Sequence, residues 1–123
     1  MTKFRFAYDK ELGKELPCVE IDIPIYKCKV KILSKGNTAK LNKYWESASG
    51  AMCVDNYIKA DNLILIRITQ YSDASLVHEL HHAVDMIMSK IGHKRNPEYD
   101  EPSAYLMAYL YKEAIKHKKK LAK

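Results

Sequence analysis

Apart from one short segment near residue 40, the hydrophobic period of this chain changes once, and that change limits the folds open to it. Before about residue 70 apolar side chains recur at every second position; beyond it they recur every three or four. KFRFAY (3–8) alternates, and VEIDIPIYKCKVKIL (19–33) alternates for longer. There Ile21, Ile23 and Ile25 share one face and, after a shift, so do Cys28, Val30 and Ile32. Pro24 has no N–H for a ladder, so it predicts a break or a sheet edge. Gly36-Asn37 marks a turn, and Leu41, Tyr44 and Trp45 predict a short helix over 38–47. A strand pair follows in AMCVDNYIK (51–59) and NLILIRIT (62–69), with a turn at Asp61-Asn62 and Ile64, Ile66 and Ile68 on one face.

The second half is helical. Ser72 or Asp73 can cap a helix running to about Ile91 and stopped by Gly92. Its apolar stripe, Val77, Leu80, Val84, Ile87 and Ile91, predicts burial against a sheet. The loop GHKRNP leads to a last helix that starts between Pro97 and Pro102 and ends in a lysine run. Strands followed by helices, with neither repeat nor linker, predict one α+β domain over 1–123: a small antiparallel or mixed sheet packed on two helices.

Composition narrows the setting. With 123 residues, 47% hydrophobic and 29% charged, the chain has the make-up of a globular domain with one core. Neither a signal-like apolar region nor a membrane-length apolar run is present, so a cytoplasmic location is expected, with no membrane contact. Cys18, Cys28 and Cys53 lack C-x-x-C spacing and read as reduced, buried thiols. The net charge of +6 owes much to Lys112, Lys116, Lys118, Lys119, Lys120 and Lys123. Lysines there suit the negative end of a helix dipole; a nucleic-acid contact through this basic C-terminus is the weaker expectation.

Three histidines and two carboxylates stand in SLVHELHHAVD (75–85). His78 and His82 are four apart and within about 40° of each other on the helix surface, so both rings can converge on one tetrahedral zinc. Glu79 is turned about 100° from His78 and suits a general base acting on a water at the metal. His81 is off this face and reads as a surface or packing histidine. Asp85 shares the face of both ligands and can accept the free N–H of one, which fixes its tautomer.

These residues resemble the zincin-like metallopeptidases, over roughly residues 62–116. The metzincin extension is absent: Asp85 stands where its glycine would be and Met88 where its third histidine would be. The resemblance is closer to the gluzincin arrangement, in which a later glutamate completes the site; Glu98, Asp100 and Glu101 are the candidates. Glu101-Pro102-Ser103-Ala104-Tyr105 looks like the E-x-x-A-Y pattern of small phage and bacterial zincin-like proteins. His78 to Asp85 is also similar to the peptidases that process a mitochondrial ATP-synthase subunit, which supports Asp85 as a motif position. A residue before proline avoids helical angles, so Glu101 should open its helix beside free N–H groups that favour its ionised form. Tyr105, four residues on, would share its face and support an oxyanion. His93 is the rival third ligand.

The expectation is therefore a minimal zinc metallopeptidase: His78, His82 and Glu101 on zinc, Glu79 as base, Tyr105 as oxyanion partner, and Asp85 behind a ligand. Its partner would be a protein or peptide substrate paired to NLILIRIT or the strand before it. A phage origin, implied by the resemblance alone, would place it in a host cytoplasm. The alternative is a catalytically weak or inactive zinc domain that binds protein or nucleic acid.

Overall fold

Proline 24 decides how the first half folds. The computed structural model describes residues 2–9, 13–34, 51–54, 63–68, 71–93 and 100–122. β1 (Thr2–Asp9) and β2 (Lys14–Ile23) form an antiparallel pair, with Phe4 opposite Val19 and Phe6 opposite Pro17. The alternation expected through 19–33 is then cut: Pro24–Tyr26 make one 3-10 turn, and Lys27 takes a left-handed φ of 53° while its N–H reaches the Pro24 carbonyl at 3.1 Å. The chain reverses there, so β3 (Cys28–Ser34) returns antiparallel to β2 and Ile21 meets Val30. Ile25, expected on the strand face, is left on the turn and is 81% exposed.

β5 (Leu63–Ile68) lies parallel to β3, and β4 (Ala51–Val54) lies antiparallel on its outer side, giving a mixed sheet in the order β1-β2-β3-β5-β4. The α+β class stands. β5 is buried on both faces, as its unbroken apolar run requires. Ile64, Ile66 and Ile68 join the core beneath the helices, whereas Leu65 packs with Ala7, Leu16, Cys18 and Leu33 on the opposite face. Because β5 is interior, the outer strand beside α1 among the described residues is β4, the strand before it.

α1 (Asp73–Lys90) starts where Ser72 Oγ accepts the Ser75 N–H at 3.0 Å. It ends at Gly92, φ 76°, where the Gly92 N–H donates to Ser89 O at 3.1 Å and the His93 N–H to Met88 O at 2.9 Å. These two bonds close the last turn, and the positive φ is the reason for glycine. The buried face holds Leu76, Leu80, Ala83, Val84, Ile87 and Met88. Two residues of the expected stripe fall outside it, Val77 at 39% and Ile91 at 45% exposure. Val77 is turned about 100° from Leu76, at the rim of the buried arc, and Ile91 lies past the last turn.

α2 (Glu101–Ile115) runs back along α1. His93, after α1, meets Asp100, before α2, at 3.2 Å; Asp73, at the start of α1, meets Lys118 at 2.9 Å. Thr2 Oγ1 donates to Glu113 at 2.6 Å and Tyr109 OH donates to the Asp22 carbonyl at 2.8 Å, which ties α2 to the sheet. The expected continuous last helix breaks at Lys116–His117, and a short α3 (Lys118–Leu121) follows. Leu121 is buried in the core and its carbonyl accepts the Ser34 hydroxyl, so the lysine run is docked rather than trailing.

Cys18 and Cys28 are buried free thiols, and burial pushes the Cys18 thiol pKa up. The Cys53 side chain, the helix expected over 38–47 and the turns at 36–37 and 61–62 lie outside the described residues. Among the described residues no helix is long and apolar enough to cross a membrane.

The burial of α1 separates two neighbouring residues. Leu76→Ala should destabilise the fold by about 2–5 kcal/mol, and Val77→Ala by less than about 1 kcal/mol. Urea unfolding of the two variants would check this; equal losses would mean that the helix buries a different face.

Candidate metal centre

The exposed flank of α1 carries the histidines because the buried arc ends one residue away from them. His78 and His82 stand on solvent, one turn apart, and their Nε2 atoms approach to 3.1 Å. The rings are nearly perpendicular, with centroids 4.7 Å apart and planes at 80°. A tetrahedral ion with bonds of 2.0–2.1 Å would hold two nitrogens about 3.3 Å apart, so this pair fits two positions of a zinc site. The same approach also suits one ring N–H donating to the other ring's bare nitrogen.

Glu79 sits on the boundary between the two faces. It lies about 60° from both Leu76 and His82 around the helix, so its stem is covered while its carboxylate lies beside the histidines. It is 4% exposed, and Oε1 lies 3.9 Å from His78 Nε2. A carboxylate buried this far costs free energy unless a cation or donors face it. The histidine pair, once protonated or bound to a cation, supplies that charge.

The remaining candidates are placed elsewhere. Asp85, expected behind a ligand, approaches the third histidine, with its carboxylate 3.5 Å from His81 Nε2. Glu101 opens α2 with an exposed side chain. Since Asp100 is held to His93, the start of α2 lies at the far end of α1, and from His82 to Lys90 alone the axial rise is about 12 Å. Among the described residues no group of three His, Cys, Asp or Glu side chains is assembled. Glu98 lies outside the described residues. His93, the rival ligand, has Nε2 on Asp100.

Tyr105 is 71% exposed and lines an apolar groove of about 540 Å³ with Ile25, Tyr26, Pro102 and Tyr109, not the histidine pair. Sequence reasoning missed the His93–Asp100 clasp, although a histidine after a stop glycine and an aspartate just before a helix were both in view. It also missed Ser103, buried on the inner face of α2, whose hydroxyl has no hydrogen-bond partner among the described residues.

Comparison with known proteins finds no family model, no curated relative and no solved structure that matches this chain.

If the histidine pair holds zinc, the wild-type protein should retain one ion per chain after dialysis, measured by elemental analysis. His78→Ala and His82→Ala should each lose it and Glu79→Gln should keep it. The apo protein should remain folded, since its core does not involve the pair, and should melt at lower temperature than the zinc-loaded form. Collapse of the circular dichroism signal on chelation would instead make the metal a structural element.

Proposed function

We propose that this protein is a zinc-dependent metallopeptidase, a reading of our own that rests on the convergence of His78 and His82 beside the buried Glu79. A zinc ion held there would lower the pKa of a water towards ~7 and polarise a peptide carbonyl. Glu79 is the residue suited to take the proton from the attacking water and hand it to the departing amine. β4, the outer strand beside the same helix among the described residues, would accept an extended peptide as an added strand.

The third donor in this reading is Glu101, assigned from its spacing and from the family likeness. Its coordination requires the start of α2 to approach the histidine pair more closely than the His93–Asp100 clasp now allows. Tyr105 as oxyanion partner requires the same approach, and Asp85 would have to turn from His81 to stand behind His82. The substrate is a protein or peptide and the setting is cytoplasmic, in the host if the chain is phage-encoded. A second reading, a zinc-binding interaction domain without hydrolysis, is favoured by one observation. The His78 side chain is 67% exposed.

Two measurements separate these readings. Zinc-loaded wild-type protein should cleave members of a peptide library, and Glu79→Gln should reduce the rate by about 10²–10⁴-fold with zinc content unchanged. Equal cleavage by both would end the peptidase reading. Titration with a chromophoric chelator should rank Glu101→Ala as far more damaging to zinc affinity than His93→Ala or Glu98→Ala. Tyr105→Phe should bind zinc normally and turn over roughly 10²-fold more slowly. If His93→Ala is the most damaging, the site is a three-histidine one.

A further inference from the structure

The lysine run at the C-terminus has a role in the fold that its sequence does not reveal. Leu121 is buried in the core, and α3 is therefore laid against the sheet beside β1. His117 stacks on Phe4, centroids 5.6 Å apart and planes at 19°, and Lys120 Nζ stands 4.2 Å above the same ring. Phe6 meets Phe4 edge to face at 5.4 Å and is itself 59% exposed. Phe4, Arg5, Phe6, Pro17 and Lys120 together line a groove of about 510 Å³.

Charge around this groove is positive. No carboxylate among the described residues pairs with Lys120, whereas Lys116 and Lys118 are held by Glu113 and Asp73; Lys3 and Arg5 alternate with Phe4 and Phe6 and project from the other face of β1. Arg5 is shared with Glu20 at 3.4 Å, and Glu15, opposite Tyr8, bounds the patch at its far end. Burial and the neighbouring Lys120 and Lys116 lower the His117 pKa, so that ring stacks as a neutral imidazole at pH 7. Lysines alone on an edge strand would be ordinary protection against sheet extension. An exposed phenylalanine is the opposite of protection, since it adds an apolar face to a strand that is outermost among the described residues.

We propose that the Phe4–Phe6 face of β1, with the docked Lys120 above it, binds single-stranded nucleic acid. Bases stack on a ring such as Phe6 whatever their identity, and Lys120 neutralises an adjacent phosphate. The net charge of +6 draws a polyanion to the chain and disfavours a second copy of it at this face. The surface lies on the opposite edge of the sheet from β4, so the inference stands independently of the zinc reading.

The test is fluorescence anisotropy of the full chain with a labelled 20-nucleotide dT strand and a matching uridine strand, across a sodium chloride series. Both should bind, and Phe6→Ala should weaken binding about tenfold while Phe6→Trp restores it. Lys120→Gln should reduce the slope of log K against log salt by about 0.7. Phe6 and Lys120 are exposed, so both variants should melt near the wild-type temperature, and the second variant tests the surface should the first fail to fold. Chelation should leave the binding unchanged. No binding at low salt would overturn the proposal, as would binding that Phe6→Ala leaves intact or that chelation removes. Association with acidic phospholipid vesicles or an acidic peptide, with none to the oligonucleotides, would also overturn it.

Discussion

Burial of α1 against β5 is the contact on which the other elements depend. Ile64, Ile66 and Ile68 present one face of a strand with no solvated side, and Leu76, Leu80, Val84, Ile87 and Met88 belong to the same buried cluster. Each such side chain contributes roughly 1.5–3 kcal/mol when fully buried, whereas exposed ion pairs on the helices contribute little. The helix is therefore oriented by its apolar arc. The polar side chains go where that arc leaves them.

That orientation explains the chemistry of the flank. His78 and His82 fall just outside the arc and Glu79 on its rim, so one helix presents two exposed imidazoles and one covered carboxylate. The return of α2 has a different cause. Its own apolar side chains, Leu106, Leu110 and Ala114, bury it in the same cluster, and His93–Asp100 and Asp73–Lys118 mark the two ends of the antiparallel pair. Glu101 is carried to the far end of α1 by that arrangement, although its spacing from His82 suits a ligand. A site completed by Glu101 would thus couple metal binding to a movement of the α2 start, with the clasp as the contact that must loosen.

The same docking gives the protein two separate faces. α2 and α3 end against β1 and β2, which lays Lys120 over the Phe4 ring, while α1 lies over β4 and β5 at the other edge. An anionic strand and a peptide would therefore meet opposite edges of one sheet, without competing for the same residues.

Much of this was legible in the residues themselves. The change of hydrophobic period specified strands before helices, Ser72 and Gly92 marked both ends of α1, and the i, i+4 spacing placed His78 beside His82. Local geometry suffices for these, because each depends on neighbours within a few residues. Other features depended on packing between distant segments. Leu76 rather than Val77 faces the core because the sheet, not the helix, selects which part of a broad apolar arc is covered. Ile25 is exposed because Pro24 reverses the chain, and β4 rather than β5 is the edge because β5 pairs with β3 in parallel. Whether Glu101 stands near the histidines, and whether the final lysines are a solvated tail or cations set over an aromatic ring, depends on how α2 and α3 return across the sheet. No local spacing encodes that return; contacts between residues far apart in the chain decide it.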